Sequence, residues 1–352
     1  MRKTFGWVPA FMLAMTALGA RGKEMAQIGA LVLDAETRRP LAGVEMMGHF
    51  AFKKGWGEGA DPNFVTVRTD ADGRCTASAR TNKGIAGWHV MSVPEGYYLP
   101  SHGGWFTFKE KGLLRNWQPD NLVSTVLVQR VRHPIPLVVK IFRTESVSLA
   151  NARTGGRLAY DFICGDWLPP VGKGVTADVE FIRRPPRGTE TDRRDVTMRF
   201  LGEGNGIVEM SSPSYSVPLI RTAPENGYGA ELSFFAYYDE EGQQVRHEYD
   251  KRHFGFRIRT RRDAEGRLVG GFYGKINDGI TFCVGSDPNG GTREELLTVP
   301  RIRYYLNPAP LDRNLEWDRK TILAWNPDGK RLEPKQERDL PLLYRGLIGT
   351  DP

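Results

Sequence analysis

The sequence predicts an all-β protein built from two domains. Short runs of alternating apolar and polar residues are separated by turn-forming residues about every eight to twelve positions, which is typical of β-sandwiches. No apolar run with helical period extends beyond about two turns. Forty Gly and twenty-three Pro among 352 residues indicate many turns. Domains usually contain about 100–200 residues, so the length fits two of them.

Residues 1–20 are predicted to be a secretory signal peptide. Arg2 and Lys3 precede the apolar run Val8–Leu18, and small residues follow at Gly19 and Ala20. This run is shorter than the ~20 apolar residues that a transmembrane helix needs. We therefore expect a secreted or periplasmic protein, and no later segment reads as transmembrane.

The first domain is predicted over residues 27–147. Its strands are expected at Ile28–Leu33, Leu41–Met47, Phe64–Arg68, Arg74–Ala79, Trp88–Val93, Val123–Val131 and Ile135–Phe142. Thr69–Gly73, with the sequence TDADG, fits a tight hairpin turn that needs a left-handed residue at Gly73. Asp34 and Thr37 can cap another turn through bonds to backbone amides, and Gly43 admits a bend.

Two motifs in this domain resemble a known family. GALVLDAETRRPLAG (Gly29–Gly43), extended by Val44 and followed by TDADG, is similar to the carboxypeptidase regulatory-like, or transthyretin-like, β-sandwich domain. The positions that carry the resemblance are Gly29, Leu31, Leu33, Asp34, Thr37, Pro40, Leu41, Gly43, Val44, Thr69, Asp70 and Gly73. The resemblance covers about residues 27–131. It implies an N-terminal transthyretin/Ig-like β-sandwich that acts as a stability or interaction module and carries no chemistry of its own.

A second, larger domain is predicted over residues 155–320, after a small and polar linker at Ser148–Gly156. It is expected to be an antiparallel β-sandwich or a partly closed barrel, with residues 321–352 forming a hairpin and a C-terminal tail. The turn DAEG between alternating runs predicts an antiparallel hairpin over Arg252–Ile276. GEGNG (Gly202–Gly206) is likewise interpreted as a hairpin turn, because no helix and no Lys-Ser/Thr pair follow it.

Composition and motifs limit the functions to consider. A net charge of +7 is modest for this length and does not argue for a nucleic-acid partner. Cys75, Cys164 and Cys283 allow at most one disulfide, and no CxxC pair indicates zinc. No cofactor, metal ion or catalytic residue is predicted, and the sequence leans against an enzyme.

The leading hypothesis is a binding or accessory protein for an anionic extracellular polysaccharide or another cell-envelope component. In a strand over Lys251–Arg262, odd-numbered residues would share one outward face and the apolar even-numbered ones would face the core. Forked Arg contacts on that face could hold sulfate, phosphate or carboxylate groups. The predicted binding residues are Lys251, His253, Arg257, Arg259, Arg261, Arg301 and Arg303, with Trp56 and Trp105 as a second surface that stacks on sugar rings.

Two alternatives stay open beside this hypothesis. Asp166 and Asp178 could form the carboxylate pair of a hydrolase that cleaves glycans or esters, if the fold brings them together. A purely structural envelope protein is the other alternative. For the Arg strand itself, Glu231 and Asp239 on a neighbouring strand could neutralise the cations instead of leaving them to a ligand.

Overall fold

The computed structural model of the chain describes a defined set of residues. These are residues 25–51, 63–81, 83–100, 103–111, 116–118, 122–142, 157–184, 194–210, 220–238, 241, 244–247, 249–250, 252–281, 301–325 and 332–336. The predicted signal peptide and linker, together with Trp56, Lys251 and Asp239, lie outside them. The described residues form strands, turns and loops, and no helix occurs among them, so the all-β prediction is confirmed.

The chain divides into two compact units, Met1–Val131 and Arg132–Pro352. This division lies before the boundary predicted from the sequence, because the strand Ile135–Phe142 belongs to the second unit. It pairs on one side with Arg301–Leu306 and on the other with Trp317–Trp325.

The described residues of the first unit form nine strands. They are β1 (Met25–Asp34), β2 (Glu45–Phe50), β3 (Asn63–Arg68), β4 (Arg74–Arg80), β5 (Ile85–Ser92), β6 (Gly104–Thr107), β7 (Lys109–Lys111), β8 (Asn116–Gln118) and β9 (Leu122–Val128). One sheet has the order β4-β1-β9, a second has the order β3-β2-β5-β6, and β7 pairs with β8. Apolar side chains of the first two sheets form one core, in which Trp88 is fully buried and donates from Nε1 to the Gly29 carbonyl at 2.9 Å.

The turn after β1 follows the sequence prediction. Asp34 Oδ1 accepts hydrogen bonds from the amides of Glu36 (2.9 Å) and Thr37 (2.8 Å), and Gly43 adopts a left-handed φ of 75°. The other carboxylate oxygen of Asp34 accepts from Tyr97 and Arg130. Burial alone raises the pKa of Asp34, but these hydrogen bonds hold it well below its ordinary value. Asp34 is therefore an ionised structural residue.

The TDADG turn is tight, as predicted, but it is not a hairpin. Asp70 Oδ1 accepts from the amides of Asp72 and Arg74, and Gly73 is left-handed with φ of 69°. However, β3 and β4 on its two sides belong to different sheets. The Thr69 hydroxyl donates to the Leu41 carbonyl (2.7 Å) and accepts from the Val44 amide (3.0 Å), which ties this crossover to the first turn.

The second unit contains fourteen described strands. They are β10 (Ile135–Phe142), β11 (Arg157–Asp161), β12 (Asp166–Trp167), β13 (Val179–Arg184), β14 (Arg194–Phe200), β15 (Gly206–Met210), β16 (Glu231–Tyr238), β17 (Gln244–His247), β18 (Tyr249–Asp250), β19 (His253–Arg262), β20 (Leu268–Thr281), β21 (Arg301–Leu306), β22 (Trp317–Trp325) and β23 (Leu332–Gln336).

These strands form a β-sandwich of two sheets. The eight-stranded sheet has the order β15-β19-β20-β21-β10-β22-β23, with β18 also paired to β20, and the six-stranded sheet has the order β12-β11-β13-β14-β16-β17. The main core includes Phe162 and Phe181 from the six-stranded side and Phe256 and Tyr304 from the eight-stranded side. The outer face of the eight-stranded sheet carries further apolar clusters, which include Tyr273, Leu315 and Trp317. The central strands of this sheet are thus covered on both faces.

The two predicted hairpins of this unit have different outcomes. The one with the DAEG turn is confirmed, since β19 and β20 pair antiparallel around it. The hairpin predicted at GEGNG is wrong, because β14 before it and β15 after it lie in different sheets. Its loop instead contacts β19, where Asn205 Oδ1 accepts from the Thr260 amide at 2.8 Å.

Lys275 on β20 is a fully buried cation on the covered outer face. Its Nζ donates to the carbonyls of Leu315 (2.6 Å) and Ile220 (3.0 Å) and lies 5.4 Å from the ring centre of Tyr305. Burial, with a smaller contribution from nearby Arg319, lowers the pKa of Lys275 to about 7, and Glu316 opposes the shift. In the unfolded chain a lysine keeps its proton up to about pH 10.4.

This difference predicts a pH-dependent stability. Between pH 7 and 8.5 the unfolded chain binds more protons at Lys275 than the folded chain, so raising the pH favours folding by up to about 1.4 kcal/mol per pH unit. Urea denaturation across this window should show that slope. Lys275→Met should lose it, whereas Lys320→Met, at an exposed lysine, should retain it. An identical slope in all three proteins would contradict the prediction.

Candidate ligand-binding face

The predicted outward row of cations on β19 does not form. His253 and Arg257 are buried, and Arg257 lies with its guanidinium 4.5 Å above the ring centre of Tyr228. Arg257 also donates to the carbonyls of Gly204 (2.8 Å) and Glu225 (3.2 Å). The side chains of β19 alternate between its two faces as predicted up to Ile258. The face with the odd-numbered residues, which was expected to meet solvent, is covered.

A β-bulge then turns Arg259 away from this row. Two residues of β19, Arg259 and Thr260, stand opposite Gly271 alone on β20, and Arg259 has a left-handed φ of 52°. Such a bulge transfers a side chain to the other face of a sheet. Arg259 thereby reaches the six-stranded sheet, where Nη2 lies 2.6 Å from Asp161 Oδ1 and Nε lies 2.8 Å from Asp178 Oδ1.

Asp161 and Asp178 are thus structural carboxylates in this arrangement. The Asp161 oxygens accept hydrogen bonds from four backbone amides, those of Ile163, Cys164, Val175 and Thr176. Burial raises the pKa of Asp161, but the amides outweigh it and the pKa lies below its ordinary value. Burial raises the pKa of Asp178, and Arg259 opposes that shift. One guanidinium bridges both side chains, which are only 1% exposed.

The other carboxylates named from the sequence have different neighbours. Asp166 caps its own loop by accepting from the amides of Trp167 (2.8 Å) and Lys173 (2.9 Å). Glu231 pairs with Arg199 at 2.6 Å and not with an arginine of β19. The pair that the fold assembles is therefore Asp161 with Asp178, and an arginine already occupies the space between them.

Of the three arginines Arg257, Arg259 and Arg261, only Arg261 is exposed. Its guanidinium lies against Gly270 on β20, where a Cβ would approach Nε to 2.6 Å. Arg303 is half-buried on β21, and the side chain of Arg301 is not among those described. A role of these residues in ligand binding stays a prediction.

Trp105, the other predicted binding residue, lies on an exposed aromatic face of the first unit. This aromatic face is the outer side of the β3-β2-β5-β6 sheet and consists of His49, Phe64, His89 and Trp105. Trp105 on β6 pairs with Gly87 on β5, and its six-membered ring covers that glycine so closely that a Cβ there would lie 2.6 Å from Cε3. The residue remains 53% exposed. The indole thus lies on the sheet and leaves area open to a ligand.

Two imidazoles border the indole. The ring centres of His49 and His89 lie 5.5 and 5.7 Å from that of Trp105, with interplanar angles of 75° and 90°. Phe64, also 53% exposed, stacks on His49 at 5.2 Å. The indole of Trp105 thus lies flat on the sheet, and the imidazoles of His49 and His89 stand nearly perpendicular to it.

The electrostatics of this face are close to neutral. Partial burial and the neighbouring His89 lower the pKa of His49, so its imidazole is uncharged at neutral pH. At one end of the sheet Arg68 is paired with Glu45 at 2.7 Å. The face therefore offers apolar area and neutral hydrogen-bonding groups.

The sequence alone singled out Trp105 but missed His49, Phe64 and His89. Alternation within β2 and β5 places His49 and His89 on the side opposite the buried Met46 and Trp88. This alternation could have identified the two histidines from the sequence. The pairing of Phe64 with His49, and of Trp105 with Gly87, depends instead on the register between strands.

No helix among the described residues is long and apolar enough to cross a membrane. Nor do these residues place three or more His, Cys, Asp or Glu side chains together as metal ligands.

Comparison with known proteins does not assign this chain to a family. No family model and no curated protein matches it. The resemblance of its first domain to carboxypeptidase regulatory-like domains therefore stays a prediction.

Similar solved structures include pilins, at low similarity. The group B streptococcus pilus 2b backbone protein is 16% identical over 30% of this chain and 41% of its own, with a TM-score of 0.22. GBS52, the minor pilin of Streptococcus agalactiae, is 17% identical over 32% of this chain and 47% of its own, with a TM-score of 0.23. BcpA, the major pilin subunit of Bacillus cereus, is 12% identical over 79% of this chain and 95% of its own, with a TM-score of 0.21. The chain spans less than half the length of the first two, and scores this low carry no inference about function.

Proposed function

We propose that this chain is an extracytoplasmic binding protein, and that the aromatic face of its first unit holds a sugar ring of a polysaccharide. The observation that carries the proposal is the half-exposed indole of Trp105, which is fixed in place over Gly87. The extracytoplasmic location rests on the predicted signal peptide.

The shape of the face suits a sugar ring. Pyranose rings present apolar C–H faces, and a large, rigid aromatic ring can cover them while its neighbours bond to the hydroxyls. Trp105 supplies the flat surface. His49 and His89, which stand nearly perpendicular to it, supply ring nitrogens that can donate or accept.

The charge of the face favours a neutral sugar. The imidazole of His49 is uncharged at neutral pH, and Arg68 is engaged with Glu45. The anionic glycan expected from the sequence depended on a row of outward arginines on β19, and Arg257 and Arg259 are buried or ion-paired instead. The aromatic face is therefore a better candidate than the arginine strand.

Removing the indole tests this proposal. Trp105→Ala should weaken binding to neutral oligosaccharides at least tenfold, as measured by calorimetry against a panel of neutral and anionic polysaccharides. Tenfold corresponds to about 1.4 kcal/mol, within the range of a central aromatic contact. Because the buried half of Trp105 packs on Gly87, His49 and His89, its loss should also lower the thermal midpoint, and circular dichroism should confirm that the variant is folded at the temperature of the titration.

Two further variants sharpen the result. Gly87→Ala should displace the indole without removing it and should also weaken binding, since a Cβ would lie 2.6 Å from the ring. Leu311→Ala changes an exposed apolar residue of the second unit and should bind normally. Sugar binding that is equal in wild type, Trp105→Ala and Gly87→Ala would refute the assignment, as would the absence of binding to every neutral sugar.

A further inference from the structure

Two histidines of the aromatic face lie close enough together to share a ligand. His49 on β2 and His89 on β5 are on neighbouring strands, and their ring centres are 5.9 Å apart with an interplanar angle of 32°. His49 pairs with Gly87 and His89 pairs with Met47, so the two histidines are diagonal neighbours on the same face.

We propose that His49 and His89 form a binding site for a divalent transition-metal ion of the Zn²⁺, Ni²⁺ or Cu²⁺ class. Metal–nitrogen distances of about 2 Å place the centres of two imidazoles that share one ion about 5–6 Å apart. The observed separation of 5.9 Å falls in that range. Imidazole is a preferred ligand for these ions, whereas Mg²⁺ and Ca²⁺ favour oxygen donors.

The surroundings of the pair favour this use. Both residues are held on paired strands of one sheet, so little backbone freedom is lost on binding. Phe64 stacks on His49 and Trp105 meets both imidazoles edge-on, which restricts their rotation.

The site would have an open coordination sphere. The described residues supply no third His, Cys, Asp or Glu ligand, so water would complete the coordination of the ion. Two imidazoles and water give weaker binding than a closed structural site with four protein ligands. The site consists of the two histidines and does not require a sugar on the same face.

Quenching of tryptophan fluorescence by Cu²⁺ tests the proposal directly. The chain, purified without a histidine tag, is titrated with Cu²⁺ at pH 7.5 in the absence of sugar, with calorimetry in parallel. Trp105 lies within 5.7 Å of both imidazoles, ring centre to ring centre, so an ion at the site should quench it. Trp105→Phe should remove most of the quenching and retain the heat of binding.

Histidine variants decide whether this pair is the site. His49→Gln and His89→Gln should each weaken Cu²⁺ binding at least tenfold, and circular dichroism should confirm that both variants are folded. His133→Gln, at an exposed histidine of the second unit, should bind as wild type does. Unchanged affinity in both His49→Gln and His89→Gln, or a loss in His133→Gln alone, would overturn the proposal. Because no sugar is present, this outcome is independent of the sugar-binding result.

Discussion

Arg259→Met is expected to lower the free energy of unfolding of the second unit by about 3–5 kcal/mol, the usual cost of removing one partner from a buried ion pair. Arg259 links the two sheets of the sandwich through Asp161 and Asp178, whose side chains are 1% exposed. Without the guanidinium, two buried carboxylates would face each other with no cation between them. Urea denaturation followed by tryptophan fluorescence, to which the buried Trp167 of this unit contributes, measures the loss.

The loss should depend on pH in a definite direction. Removal of Arg259 raises the pKa of Asp178 in the folded chain further above that of an unfolded aspartate, about 3.9, because Arg259 opposes the effect of burial there. A raised folded pKa means that stability is lost as the pH rises through it. The difference between wild type and Arg259→Met should therefore be largest near neutral pH and should shrink toward pH 4.

Arg267→Met is the matched control, because Arg267 makes a similar bond to Asp263 at 2.7 Å but is largely exposed. Exposed ion pairs contribute little, so this variant should unfold nearly as wild type does. Adding Asp178→Asn to Arg259→Met should recover part of the stability, because one unpaired charge is then gone and the amide oxygen can still accept from the Phe162 amide. Equal losses in Arg259→Met and Arg267→Met would show that the buried cluster does not have this role.

Gly73→Ala should destabilise the first unit by about 2–5 kcal/mol. A left-handed residue other than glycine costs about 1–2 kcal/mol, and overpacking adds about 1–3 kcal/mol. Gly73 has a φ of 69°, and a Cβ there would lie 2.5 Å from the Val32 carbonyl oxygen and 3.1 Å from the Leu41 amide nitrogen. Backbone atoms cannot rotate away as a side chain can, so the crossover between the two sheets must distort. Urea denaturation followed by tryptophan fluorescence, to which the buried Trp88 of this unit contributes, measures this effect.

Gly43→Ala separates the two contributions to that cost. Gly43 has nearly the same φ, 75°, but no atom lies within 4 Å of the position of its Cβ. The substitution should therefore carry only the conformational cost, about 1–2 kcal/mol. If Gly43→Ala were as damaging as Gly73→Ala, the contact of Gly73 with Val32 would not be the source of the difference.

The turns of this protein were predictable because their chemistry is local. Asp34 caps residues two and three positions ahead of it, and Asp70 caps residues two and four positions ahead. Gly43 and Gly73 adopt the left-handed conformation that their motifs require. Such contacts involve only a few neighbouring residues, so the sequence around a turn contains the information that defines it.

The pairing of the strands beside those turns was less predictable. TDADG and GEGNG both read as hairpin turns, yet each connects strands of different sheets, whereas DAEG joins strands that do pair. A tight turn reverses the chain in all three cases. Which strand then accepts the backbone hydrogen bonds depends on distant segments, since β4 pairs with β1 and β15 pairs with β19.

The candidate sites also combine features that are local in the sequence with features that depend on distant segments. The sequence by itself determined the all-β class, the tight turns, the alternation of apolar residues in β19 and the presence of Trp105. Only the tertiary structure decided that a second apolar layer covers Arg257, that a bulge of one residue turns Arg259 toward Asp161 and Asp178, and that His49, His89 and Trp105 meet on one face. The physical reason is that alternation defines two faces of a strand, but the layers packed on each face, and the register with its neighbours, are set by residues far along the chain.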